Sequence, residues 1–171
     1  PEISVEALMA SACLPTLFQA VQIDGEAYWD GGFMGNPALF PLVNECDARD
    51  MIIVQINPIE RDELPTTAAD IANRVNEITF NASLIKELRS LGFLWEVIHH
   101  EGLEREQYRD ARVHLIHGGE TMLDLSVSSK FNSEWAFLVY LRDAGRGAAG
   151  EWLEAHFDDI GRRSTVDLSA L

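Results

Sequence analysis

Basic side chains are scarce in these 171 residues: 13 Lys and Arg stand against 28 Asp and Glu, a net charge of −15 at neutral pH. Phosphate backbones are gripped by clustered Lys and Arg that replace counterions, so the balance argues against a nucleic-acid binder. The same sign opposes an anionic bilayer, and no basic amphipathic stretch suits docking on one. At most a transient contact with a lipid surface is expected. Cysteine is rarer still, at two. Cys13 and Cys46 lack the paired spacing of a zinc site and read as reduced core thiols. No basic segment leads into an apolar run and a small-residue cleavage site, so no signal peptide is visible. The longest uncharged stretch, Ala7 to Ile23, contains Ser11, Pro15, Thr16, Gln19 and Gln22. It falls short of the ~20 apolar residues a spanning helix needs and reads as buried interior. A cytoplasmic protein is expected.

What is present is an ordinary globular composition, 47% apolar and 24% charged. Ser4 caps a helix that runs to about Cys13, with Pro15 beyond its end. Two short apolar runs, Ala20–Ile23 and Ala27–Trp29, flank Asp24-Gly25, the strongest short-range signal for a hairpin. Asp30-Gly31-Gly32 ends the second strand. Pro37 to Glu45 reads as a short helix with proline near its start. Met51 to Ile56 is a continuous β-branched run, as in a central strand covered on both faces. From Thr67, apolar residues recur every three or four positions through Ile71, Val75, Ile78, Ile85, Leu88, Leu91 and Ile98. That is one face of a long helix, ended by Gly102, which fits either a layer on the sheet or a lid. Arg112 to His117 is a further strand. Ser133 to about Ile160 is helical, with Trp135 and Trp152 as core members and Gly145, Gly147 and Gly150 weakening its middle enough to suggest two helices. Strands alternating with helices predict an α/β fold.

The chemistry-bearing candidate is Asp30. It follows a strand, precedes two glycines that let other groups approach, and has Tyr28-Trp29 and Phe33-Met34 around it. A carboxylate in such a partly dry place suits general-base work. Ala10-Ser11-Ala12-Cys13-Leu14-Pro15, Asp24-Gly25, Tyr28-Trp29-Asp30-Gly31-Gly32 and Asn36-Pro37 together resemble the C-terminal signature of patatin-like phospholipases. The likeness covers roughly Glu6 to Asn44. It implies a three-layer α/β/α fold and a lipid acyl hydrolase, of bacterial type, acting on acyl esters or phospholipids through a Ser-Asp dyad. It implies Asp30 as the general base, with Gly31, Gly32, Asn36 and Pro37 as supporting motif residues, and it calls for no cofactor or metal.

No serine in the chain sits in Gly-x-Ser-x-Gly, and no glycine-rich anion cradle is present. The 171 residues therefore read as the C-terminal portion of one hydrolase domain whose N-terminal part carries the nucleophile. Residues of about 1–60 form a motif-bearing sheet region, and about 61–171 a helical and strand extension. Two other readings stand beside it. One is a conventional α/β-hydrolase, with Asp30 as the acid and His99, His114, His117 or His156 as base. The other is a non-catalytic acyl-binding or assembly module. His99-His100-Glu101 reads as a solvated helix end rather than a metal site, because adjacent helical residues point about 100° apart.

Overall fold

The computed structural model describes residues 3–100 and 110–168. The chain separates into two compact units, Pro1–Pro37 and Ala38–Leu171.

The first unit is built by local signals. Helix α1 (Val5–Ser11) starts where the Ser4 hydroxyl accepts the Ala7 N–H at 3.2 Å. Strands β1 (Val21–Ile23) and β2 (Glu26–Tyr28) pair antiparallel. Asp24 and Gly25 both take positive φ, +51° and +86°, which is the backbone a two-residue hairpin turn demands. Ala10 and Cys13 are buried, but Leu8, Met9, Leu17 and Phe18 are exposed. The Ala7–Ile23 stretch is thus not interior within this chain: one short helix and one hairpin cannot enclose it.

The second unit carries the core. Helix α2 (Phe40–Glu45) begins three residues later than expected, with Pro41 rather than Pro37 in its first turn; Pro37 instead follows a cis peptide bond. Strands β3 (Asp50–Gln55) and β4 (Arg112–His117) pair in parallel from Asp50↔Arg112 to Gln55↔His117, and helix α3 (Ala68–His100) joins them. Leu84, Leu88 and Leu91 of α3 meet Met51, Ile53 and Val113 of the sheet, with Leu39, Val43 and Leu168, in one buried cluster. The long helix is therefore a layer on the sheet. On the other side of β4, fully buried His114 lies 5.7 Å edge-on from Trp152. Trp152 belongs to α5 (Trp135–His156), which follows a short helix α4 (Gly119–Leu123). Helices thus flank β4 on both sides, in a mixed α/β architecture.

Several expectations are corrected. Strand β3 is covered on one face only, since Ile52 and Val54 are exposed at 48% and 67% while Met51 and Ile53 are buried. In α3, the expected Leu88, Leu91 and Ile98 are buried, but Ile71, Val75 and Ile78 are exposed, and the first half of the helix turns Glu77, Asn81 and Leu84 inward instead. The reason is a polar staple. Arg61 forks onto Glu77 at 2.6 Å, Arg74 donates to Glu77 and to the Ile59 carbonyl, and Asn81 donates to the Pro58 carbonyl at 2.8 Å. Burial pushes the Glu77 carboxyl up, but the two guanidiniums more than offset this and hold it below the usual range. Helix α5 is continuous despite its glycines, Trp135 is 76% exposed rather than core, and Cys46 is exposed while Cys13 is buried. The expected helix end at Gly102 lies outside the described residues.

Two glycines in these helices have opposite meanings. Gly150 in α5 has nothing within 4 Å of where a Cβ would stand, so Gly150→Ala is expected to raise Tm by about 2–4 °C through helix propensity. At Gly92 in α3 a Cβ would meet the Leu168 backbone oxygen at 2.5 Å, where the chain packs against the helix. Gly92→Ala should lower Tm despite the better propensity. Thermal melts of both variants check the pair, and a shared sign would contradict this reading.

Candidate active site

Three pieces of the first unit hold Asp30. Its backbone N–H donates to the Cys13 carbonyl at 2.9 Å, tying the end of the hairpin to the end of α1. The Trp29 indole N–H donates to the Phe18 carbonyl at 3.1 Å, and Cys13 Sγ donates to the Gln19 carbonyl at 3.1 Å. These bonds explain in physical terms why the Ala10–Pro15 segment precedes the Asp-Gly-Gly turn: the first fixes the second.

Beyond Asp30 the chain turns into a short 3₁₀ segment, Gly31–Phe33, and the Asp30 side chain caps it. Its Oδ1 accepts the Gly32 N–H at 2.8 Å. The other oxygen, Oδ2, has no hydrogen-bond partner among the described residues. The carboxylate is half-buried. A Cβ at Gly31 would find nothing within 4 Å, which leaves room beside the carboxylate for another group to approach. Tyr28, Trp29, Phe33 and Met34 surround the motif in sequence, yet each is substantially exposed, Met34 at 91%. Asn36 and Pro37 follow, joined by the cis bond.

A family model for patatin-like phospholipases matches residues 1–43. No curated protein and no solved structure matches the chain. The patatin-like match spans a quarter of the sequence, contains Asp30, and extends from the first unit just into α2. It suggests a lipid hydrolase.

The histidines considered as bases all lie in the second unit, and each has a partner there. His114 Nε2 stands 3.1 Å from Asp50 Oδ1 and its Nδ1 3.3 Å from the Thr165 hydroxyl. His99 stacks on Trp95 at 4.4 Å and accepts or donates nothing closer to a carboxylate than 3.6 Å, at Asp110. His156 meets Asp159 at 3.1 Å, and His117 accepts the Gly119 N–H at 3.3 Å. The His99-His100-Glu101 trio reaches outside the described residues. Among the described residues no cluster of three His, Cys, Asp or Glu is placed to hold a metal, and no helix is long and apolar enough to cross a membrane.

The second unit also holds arrangements the sequence did not announce. Asp50 accepts two bonds from Arg112, at 2.8 and 2.7 Å, one from the Gly161 N–H at 2.8 Å, and one from His114. Gly161 itself has φ +80°, a conformation that favours glycine. Arg112 beside it holds the Asp50 carboxyl well below the usual carboxylate range, with Gly161 and His114 adding to the effect against burial. The strand expected from Met51 in fact opens at Asp50, which puts Asp50 beside Arg112 in the parallel register.

Proposed function

We propose that this chain is the C-terminal part of a patatin-like lipid acyl hydrolase in which Asp30 is the general base for a serine carried by residues N-terminal to Pro1. The observation that carries the reading is the division of labour within one carboxylate. Gly32 anchors Oδ1, and Oδ2 is left to accept the serine proton in the open space beside Gly31. The serine oxygen then bonds to the acyl carbonyl carbon, the ester C–O bond breaks, and the proton passes from Asp30 to the departing alcohol. Water repeats the cycle: Asp30 takes its proton, the hydroxide attacks the acyl-serine, and the proton returns to the serine as the acid leaves.

The substrate class is acyl esters, phospholipids among them, and the location is cytoplasmic. The missing N-terminal part is also the partner that covers Leu17, Phe18, Trp29 and Met34, an apolar surface too extensive to be left to water. The test compares two proteins on p-nitrophenyl butyrate and on a short-chain phospholipid. The 171 residues alone are expected to hydrolyse neither. The chain extended N-terminally through its serine is expected to turn over at least one. An extended protein without Gly-x-Ser-x-Gly, or inert on both esters, sinks the proposal.

A further inference from the structure

We propose that the second unit has a binding cavity of its own for an aliphatic monocarboxylate of about eight to ten carbons. The cavity holds about 300 Å³, at the small end of the range for ligand sites. It opens at the carboxyl ends of parallel strands β3 and β4, where open α/β sheets generally take their ligands. Val54 and Ile116, register partners on one face of the sheet, line it with Met122, Leu125 and Leu141. Its volume exists because α5 presents Ala144, Gly145 and Ala148 at this level, where larger side chains would fill the space. The glycine that weakens the helix is thus placed where the cavity needs it.

Charge fixes the head group. Lys130 is the only Lys or Arg among the lining residues and Glu77 the only carboxylate. Glu77 is already neutralised by Arg61 and Arg74. The Ser126 and Ser129 hydroxyls are satisfied within their own turn, Ser126 with Ser128 and Ser129 with the Ser126 carbonyl, both at 2.7 Å. Lys130, a lining residue, holds its ammonium 5.4 Å from the centre of the Phe80 ring and has no counter-ion among the described residues. An apolar body ending in a single negative charge matches this surface. A cation would meet Lys130 and a Glu77 already paired with two guanidiniums.

The site stands on the second unit alone and does not depend on the role proposed for Asp30, so binding rather than hydrolysis tests it. Isothermal titration of the 171-residue protein with hexanoate, octanoate and decanoate is expected to show saturable binding, tightening about fourfold per added methylene until the cavity is full. Decanol should bind about tenfold more weakly than decanoate, and decyltrimethylammonium more weakly still. Lys130→Gln should erase the preference for decanoate over decanol. Gly145→Leu, which improves helix propensity while extending into the cavity, should abolish decanoate binding without lowering Tm, and Ala144→Leu should do the same. The proposal is overturned by no saturable binding, by binding that survives both filling substitutions, or by tighter binding of the cation. None of these results bears on ester hydrolysis by the extended protein.

Discussion

Asp30→Asn, made in the protein that also carries the nucleophilic serine, is expected to lower kcat for ester hydrolysis by about 10²–10⁴-fold with little change in KM. The reasoning is that Asn keeps what is structural and loses what is chemical. Its carbonyl oxygen can accept the Gly32 N–H as Oδ1 does now at 2.8 Å, and the backbone bond from residue 30 to the Cys13 carbonyl is untouched. What disappears is the charge on the second oxygen, and with it any capacity to take a proton from serine or water. The variant should therefore fold, bind ester and stall. Undiminished turnover would remove Asp30 from the reaction. The histidine-based alternative is checked in the same assay: His99→Ala, His117→Ala and His156→Ala should each leave kcat within a few-fold of the parent, since each of these rings has a local partner in the second unit. A loss as large as that of Asp30→Asn in one of them would favour a Ser-Asp-His triad. His114→Ala is the poor probe, because that side chain is fully buried and its removal disturbs folding itself.

Local rules carried furthest in the first unit. A serine cap, an Asp-Gly turn and a glycine pair are each decided within four residues, and α1, the hairpin and the turn at Asp30 follow them closely. The position of Asp30 was legible for the same reason. Its hold on the Cys13 carbonyl, 17 residues away, was not, because no local pattern announces a backbone bond between loops. In the second unit the elements were legible but their facing only in part: Leu88, Leu91 and Ile98 turn inward as their spacing predicts. Ile71, Val75 and Ile78 form an apolar stripe as regular as any in the chain, yet α3 turns Glu77 and Asn81 inward, because those side chains satisfy Arg61 and the carbonyls of the loop that leaves β3. Periodicity counts apolar residues and is blind to a polar group whose burial is offset by a fixed partner. The glycines of α5 misled in the opposite way. Helix propensity predicts a break, but Gly145, Gly147 and Gly150 sit inside 22 residues of unbroken helix whose packing outweighs about 1 kcal/mol each. The small size of Gly145, with Ala144 and Ala148, is what leaves a cavity beside the sheet.

The largest effect on stability is expected at Asp50. Asp50→Ala should cost about 3 kcal/mol, lowering Tm by about 6–12 °C. Three groups lose their acceptor at once: the Arg112 guanidinium, the Gly161 N–H and His114 Nε2. A carboxylate can only accept, so Nε2 carries the ring proton and the Thr165 hydroxyl serves Nδ1. With Asp50 gone, a fully buried ring is left with one nitrogen unpaired, which is the expensive case. The loss also unties Gly161 from the first residue of β3, leaving Ser164 and Thr165, bonded to Val113, to hold that segment alone. Asp50→Asn should cost about half as much, since it keeps one acceptor oxygen for Arg112 Nε, His114 and Gly161 while it loses the charge and the second acceptor of Arg112. The pH dependence separates charge from shape. A carboxyl held below its ordinary value stabilises the fold at any pH above that ordinary value, near 3.9 for Asp. That contribution fades as acid drives the pH down through the lowered folded value. Urea melts of the parent should therefore lose stability more steeply between about pH 5 and pH 2 than those of Asp50→Asn. Parallel slopes would show that the charge of Asp50 contributes nothing measurable to stability. An unchanged Tm in Asp50→Ala would show that the fold does not hang on it at all.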